Sequence, residues 1–321
     1  MTVAPDLRPL DAFDFLWLEL TPRCNLRCTH CYAESSPQRA LDEGMGVDDW
    51  TRILVQASEL GCRSVQFIGG EPTLYPGFAT LVEFARGVGF TRLEVFTNGT
   101  RLPRRLKDVL VRNRVNLACS VYSDRAEVHD AITRRPGSLA RTLESIRWAL
   151  GAGLAVRAAI VAMAANADSI EGARRMLERL GVRTITVDRI RGIGRGADEV
   201  QAHGQIAEMC GSCGQGQLCV SADGKISPCV FSRFWPVADA KAPLASALHR
   251  PELRRFRELV RRPRIERRAE SCGPEEPAPP CGPEEPAPPC GPEEPAPPCG
   301  PEEPAPPCGP EEPSRASARI G

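Results

Sequence analysis

The chain has 321 residues, 42% of them hydrophobic, with 41 basic and 41 acidic side chains and 14 cysteines. That length and apolar content suit a sizeable core, in one large domain with an appendage or in two domains. Its first residues (MTVAPDLRPLDAFD) place Pro and Asp where a signal peptide needs a basic start and an apolar run, and no apolar stretch approaches the ~20 residues of a membrane span, so neither a secreted disulfide scaffold nor a membrane-spanning chain is expected and the expected compartment is cytoplasmic and reducing.

The first strand-like run is Phe15 to Leu20 (FLWLEL), and a loop holding Cys24, Cys28 and Cys31 follows it directly. Helical spacing over Asp48 to Leu60 leads to a second strand, Val65 to Ile68, which ends in Gly69, Gly70, Glu71 and Pro72. Helices at Phe78–Gly87, Pro103–Arg112, Ser138–Leu150 and Ser169–Leu180 then alternate with strands at Arg92–Thr97, Val115–Ser120, Leu154–Val161 and Thr184–Ile190. Such β-α alternation predicts an α/β fold with a parallel sheet. Six strands are too few for a closed eight-stranded barrel and suffice for a partial (βα)6 barrel of the TIM type.

From about Ala197 the pattern changes to Gly and Cys (AHGQIAEMCGSCGQGQLCVSADGKISPC), and the turn Ala222-Asp223-Gly224 predicts a hairpin of Leu218–Ser221 with Lys225–Ser227. A helix at about Pro251 to Arg261 presents Leu253, Phe256 and Val260 on one face. The chain ends in a nine-residue repeat, CGPEEPAPP, starting at Cys272, Cys281, Cys290 and Cys299, with a partial copy at Cys308. So much Pro and Glu without a large apolar side chain cannot build a packed core, so the tail is expected to be disordered or extended. The expected layout is an N-terminal extension over residues 1–14, a core domain over 15–196, a small Cys-rich domain over 197–271 and a low-complexity tail over 272–321.

The tail also explains the neutral total charge. Ten acidic and two basic residues follow Cys272, leaving 39 basic against 31 acidic in the rest, a net of +8. Those arginines are scattered along every predicted helix, with no single stripe and no interleaved aromatics, so nucleic-acid binding is not expected.

The three-cysteine loop carries the chemistry. Three thiolates at Cys-x3-Cys-x2-Cys spacing leave one iron of a cubane cluster without a protein ligand, so that iron is open to another molecule. A zinc site usually needs four ligands, and His30, beside Cys31, is poorly placed to be the fourth. At the end of the neighbouring strand, Gly69 and Gly70 allow close approach to the backbone, and Glu71 can hold a cation. Arg191 to Gly196 (RGIGRG) lacks the fingerprint and the downstream acid of a dinucleotide site and is expected to be a turn leaving the sixth strand. Cys62 and Cys119 fall in core elements and are expected to be buried thiols.

On Cys24, Cys28 and Cys31 with an aromatic residue, His30, before the last cysteine, together with the unaltered Gly-Gly-Glu-Pro run, the chain closely resembles the radical S-adenosylmethionine (radical SAM) enzymes. Thr97-Asn98-Gly99-Thr100 after the third strand and Ser120 ending the fourth extend the resemblance over about residues 13–196. It implies that the loop cysteines hold a 4Fe–4S cluster and that S-adenosylmethionine chelates the free iron. Glu71 with the Gly69–Gly70 backbone would hold the ammonium group, Pro72 and Asn98 belong to the same binding motifs, and Ser120 and Arg141 would meet the carboxylate or ribose. Reductive cleavage would then yield a 5′-deoxyadenosyl radical that abstracts hydrogen, with no catalytic side chain acting as general base.

Cys210, Cys213, Cys219 and Cys229 resemble the ligands of a SPASM or twitch auxiliary-cluster domain. One auxiliary 4Fe–4S cluster is expected, held either by those four or by Cys213, Cys219 and Cys229 with Cys272. The expected function is a radical SAM oxidoreductase acting on a peptide, supplied with electrons by flavodoxin or ferredoxin. Because about 14 residues precede the first strand, a separate leader-peptide-recognition protein is expected. The alternatives are a sugar or aminocyclitol dehydrogenase, epimerase or decarboxylase, and a non-catalytic iron–sulfur or zinc protein.

Overall fold

The computed structural model describes residues 13–41, 44–200 and 205–261; the repeat tail, Cys272 included, lies outside them. Six strands, β1 (Phe15–Glu19), β2 (Ser64–Ile68), β3 (Arg92–Phe96), β4 (Asn116–Ser120), β5 (Val156–Ala162) and β6 (Thr184–Arg189), pair in parallel, each with the next in sequence. The crossovers are helical: α1 (Val47–Glu59), α2 (Phe78–Gly87), α3 (Arg104–Arg112), the pair α4 (Ala126–Thr133) and α5 (Ser138–Gly151), and α6 (Ile170–Leu180).

Period-two alternation divides the strand side chains between two faces. Leu16, Leu18, Val65, Phe67, Leu93 and Val95 pack outward against Trp50, Ile53, Leu54, Leu81 and Val82 of α1 and α2. Cys62 and Cys119 are fully buried in this outer layer, as the sequence predicts. Trp17, Gln66, Ile68, Phe96, Ser120, Arg157, Ala159 and Val161 face the inside of the curve. β6 ends the sheet, and Val187 on it is 43% exposed, so the barrel is open along that edge.

The Cys-rich region extends this sheet rather than building one of its own. β7 (Gln217–Val220) pairs in parallel with β1, Trp17 opposite Cys219. The predicted hairpin then adds β8 (Lys225–Ser227), and β9 (Ala238–Asp239) follows, both antiparallel. The strand order is therefore β6-β5-β4-β3-β2-β1-β7-β8-β9. α7 (Leu244–Leu248) and α8 (Pro251–Val260) close the described chain, α8 burying Leu253, Phe256 and Val260 as its spacing predicts.

Candidate active site

The three-cysteine loop leaves β1 at the C-terminal edge of the sheet and is fastened from three sides. The last carbonyls of α4, which have no partner within their own helix, accept from the loop: Arg27 N–H donates to Thr133 (3.2 Å) and Thr29 N–H to Ile132 (2.9 Å). Asn25 and Asn98 form a second tie, with Asn98 Nδ2 donating to Asn25 Oδ1 at 2.8 Å and approaching Cys24 Sγ at 3.6 Å. The third comes from the segment after β6. Arg195 donates from Nε to the Cys28 carbonyl and from Nη2 to the Ser35 carbonyl, both at 2.8 Å, and its amide donates to the Cys31 carbonyl at 3.1 Å. A Cβ on Gly194 would overlap the Tyr32 carbonyl, so only glycine allows this approach. RGIGRG is the turn the sequence predicts, but its work is to hold the cysteine loop, a role not visible from the sequence.

Gly69 and Gly70 also serve a close approach, and it is by the chain itself. Gly70 N–H donates to Thr21 (2.6 Å) and Glu71 N–H to Arg23 (2.8 Å), locking the β2 exit onto the start of the loop. A Cβ on Gly69 would lie 2.6 Å from the Thr21 carbonyl oxygen, and one on Gly70 would lie 2.7 Å from that of Pro22. The Glu71 carboxylate, expected from the resemblance to meet an ammonium group, already has donors within the chain. That carboxylate, only 2% exposed, accepts from Thr73 N–H (3.1 Å), Thr73 Oγ1 (2.6 Å), Thr97 Oγ1 (2.7 Å) and Asn98 N–H (2.8 Å). Burial pushes the Glu71 carboxyl up, against the pull of these donors. Glu71 thus joins the β2 and β3 exits, while Pro72 starts a short 3-10 turn and is buried.

These loops roof a cavity of about 450 Å³, within the range of small-molecule sites. Cys24, Cys28, Cys31, Gly69, Gly70, Asn98 and Ser120 all line it; Glu71 and Pro72 do not. Arg141 is also absent from the lining, standing exposed in the first turn of α5, although the next residue, Thr142, lines the cavity and donates to the Asn98 carbonyl at 2.6 Å. Arg141 therefore stands beside the site, with its side chain outside the lining.

Burial, with Glu71 nearby, holds the Cys24 thiol well above its ordinary value; Cys28 is pushed up to about 12 by burial and by Cys31, with Arg195 opposing. His30 is brought down to about 4, by burial and then by Arg195, and its ring meets Tyr122 edge-on at 4.8 Å. Its Nδ1 and the Ser35 hydroxyl, both on residues lining the cavity, are buried without a hydrogen-bond partner. Buried thiols at this depth need a cationic group to be stable as thiolates. The three thiols all line this one cavity, and an all-thiolate donor set suits an iron–sulfur cluster.

A second group of thiols lies beyond β1. Cys210, Cys213, Cys219 and Cys229 are all at most 2% exposed, packed with Met209, Phe256 and Val260, and Cys210 Sγ stands 3.5 Å from Cys213 Sγ. Cys219 is held well above the usual thiol value by burial and by Glu19; Cys213 is raised by its contacts with Cys210 and Cys229. Between the two groups, Tyr32 donates to Glu19 Oε1 (3.2 Å), Arg233 pairs with the same carboxylate, and the Arg233 guanidinium lies 5.4 Å from the centroid of the Tyr32 ring.

Comparison with known proteins accords with this geometry. The family model of the radical SAM superfamily matches residues 18–180, and that of an iron–sulfur cluster-binding domain, SPASM, matches residues 210–273. The antilisterial bacteriocin subtilosin biosynthesis protein AlbA of Bacillus subtilis is 29% identical over 184 residues, covering 57% of this chain and 40% of that protein. The mycofactocin maturase MftC of Mycobacterium tuberculosis is 32% identical over 198 residues, 60% of this chain and 48% of that one. A GTP 3′,8-cyclase of Chlorobaculum tepidum is 35% identical over 126 residues, 38% of this chain and 37% of that one. The chain thus spans half or less of the length of these curated relatives. Among solved structures, Streptococcus suis SuiB bound to S-adenosylmethionine shares the fold with a TM-score of 0.65 at 16% identity, over 77% of this chain and 68% of that one.

Proposed function

Because the chain belongs to the radical SAM superfamily and carries a SPASM domain, we propose that it is a peptide maturase, an oxidoreductase that modifies a peptide after its synthesis. As a member it uses a 4Fe–4S cluster and S-adenosylmethionine, which when bound supply one-electron cleavage of a carbon–sulfur bond and hydrogen abstraction from an unactivated C–H bond. Cys24, Cys28 and Cys31 hold that cluster. The Gly69–Gly70 backbone, Asn98 and Ser120 hold the methionine end, and Glu71 and Pro72 shape that backbone without touching the ligand. Arg141, exposed next to the cavity-lining Thr142, is the candidate for the carboxylate or ribose contact.

Cys210, Cys213, Cys219 and Cys229 hold one auxiliary cluster, with Cys272 the alternative to Cys210. A second electron site favours net oxidation of the substrate, with flavodoxin or ferredoxin as the reductant. We assign residues 15–196 to the core and 197–271 to the auxiliary domain. The single observation that carries the reading is the meeting of three loop thiols, the Gly-Gly backbone and Ser120 around one cavity. The peptide substrate rests on the maturases, whose match covers 57–60% of the chain, against 38–44% for the cyclases. The cyclases support the second reading, a small-molecule substrate.

The test is deuterium transfer. A short precursor peptide encoded beside the gene, deuterated at its Cα and Cβ positions, should deliver label into 5′-deoxyadenosine; product formation without label from any such peptide, or label only from a small molecule, overturns the peptide reading.

A further inference from the structure

At the floor of the barrel, inward positions carry polar side chains where an apolar layer is the rule. Trp17, Gln66 and Glu94 stand in register on β1, β2 and β3, and Arg157 reaches the same level from β5. Glu94, 6% exposed, takes three contacts from Arg157: Nε to Oε1 at 3.1 Å and to Oε2 at 3.0 Å, and Nη2 to Oε1 at 2.9 Å. Gln66, 1% exposed, donates from Nε2 to Glu94 Oε1. The Phe96 ring backs the guanidinium, 5.2 Å from its carbon to the ring centroid.

This arrangement leaves a defined remainder. An ionised carboxylate only accepts, so Gln66 must present its NH2 group to Glu94, and its oxygen, which makes no hydrogen bond among the described residues, is left over as an acceptor. Arg157 spends Nε and Nη2 on Glu94, so Nη1 is left over as a donor. Both residues line the cavity. Both side chains are held by the same Glu94 carboxylate, so the spare donor and the spare acceptor belong to one fixed network. Above them, the inward residues Ala159 on β5 and Ser120 on β4 are small and leave the floor open to the roof, where the cysteine loop lies.

From this geometry we infer that the Gln66–Glu94–Arg157 floor is a recognition site for a planar carboxamide, the side chain of an Asn or Gln in the substrate. The amide oxygen accepts from Arg157 Nη1 while the amide NH2 donates to Gln66 Oε1. A carboxylate in the same place would face the Gln66 oxygen with no proton to give and would feel the Glu94 charge, and an aliphatic isostere would leave both groups unpaired. The inference rests on the peptide-maturase reading and deepens it, since it names the kind of residue that enters beneath the cofactor.

The probes are blocked tripeptides, N-acetyl-Ala-Xaa-Ala methyl esters with Xaa as Asn, Gln, Asp or Leu so that the only primary carboxamide is that of Xaa, titrated anaerobically against the reconstituted full-length enzyme with S-adenosylmethionine present. Wild type should bind the Asn or the Gln peptide at least tenfold tighter than the Asp and Leu peptides, and Gln66→Leu should abolish that preference. Arg157→Met should do the same, but it strands Glu94, so Gln66→Leu, which keeps the Glu94–Arg157 pair, is the deciding variant, with its iron content and thermal midpoint reporting folding. Equal binding of all four peptides, no binding of any, or an undiminished preference in folded Gln66→Leu overturns the inference. 5′-Deoxyadenosine production with a neighbouring-gene peptide is read in parallel: if it persists while the preference is absent, the carboxamide site alone fails; if it too is absent, the maturase reading fails.

Discussion

Replacing Arg195 by alanine should loosen the cysteine loop without touching a cysteine. The side chain donates to two loop carbonyls, those of Cys28 and Ser35, each at 2.8 Å. Hydrogen bonds from a charged donor contribute about 1.5–3 kcal/mol each, and the half-buried setting places these at the lower end, so the pair is worth about 3 kcal/mol. At 1.4 kcal/mol per factor of ten, that lowers the preference for the fastened loop about a hundredfold. Hydrogen exchange reads it directly: amides of residues 24–36 should lose roughly two orders of magnitude of protection, while those of β2 to β4 keep theirs. Arg195→Lys keeps the charge but not the two-pronged reach, and should recover no more than half of the loss. Iron incorporated at the first site should fall in parallel. Unchanged loop protection in Arg195→Ala, or full rescue by lysine, would refute the clamp and reduce Arg195 to a diffuse positive charge.

Other perturbations test the remaining joints. Gly70→Ala puts a Cβ against the Arg23 and Pro22 carbonyls; overpacking against backbone should cost ~3 kcal/mol or more, read as a lowered thermal midpoint with loss of first-site iron. Glu71→Gln keeps shape but sets an NH2 group against donors that now find no acceptor, for a loss of about 1–3 kcal/mol in stability; calorimetry should show it, with weaker S-adenosylmethionine binding following from the disturbed Gly-Gly turn. His129, 1% exposed, accepts from Tyr122 N–H at 3.2 Å and is lowered by burial to about 4 from 6.5. Its unfolded form binds the proton first, so its contribution is whole above pH 6.5 and is lost as pH falls towards 4, about 3 kcal/mol in all. Urea titrations from pH 7 to 4 should show that slope, and His129→Gln should remove its share, leaving that of His30, which burial also lowers to about 4.

Legibility in the sequence followed the range of the interactions. The six strands and five of the six crossover helices were readable because alternation and helical spacing are local, and the three-cysteine loop and Gly-Gly-Glu-Pro were readable because their functions depend on backbone spacing. α4 was not, since eight residues give two turns and too short an apolar pattern; Ser123, whose hydroxyl accepts from Arg125 N–H, was its faint start signal. A carboxylate beside two glycines suits a cation, and the sequence does not show that Thr97 and Asn98, at the exit of β3, join Thr73 in donating to Glu71. Arg195 and the Cys28 carbonyl are 167 residues apart, and Glu94 and Arg157 are 63 apart. Only the assembled barrel brings such pairs together. The Cys-rich segment read as a separate unit because its composition changes abruptly, whereas β7 pairs directly with β1.

The central claim is that Cys24, Cys28 and Cys31 hold the cluster at which S-adenosylmethionine is cleaved. The direct measurement compares anaerobically reconstituted wild type with the Cys24→Ala/Cys28→Ala/Cys31→Ala variant, following iron content by Mössbauer spectroscopy and 5′-deoxyadenosine after addition of S-adenosylmethionine and dithionite. The account predicts that the variant lacks one 4Fe–4S cluster, keeps the auxiliary one and makes no 5′-deoxyadenosine, while wild type makes it. Product from the variant, or none from wild type with both clusters loaded, would contradict it.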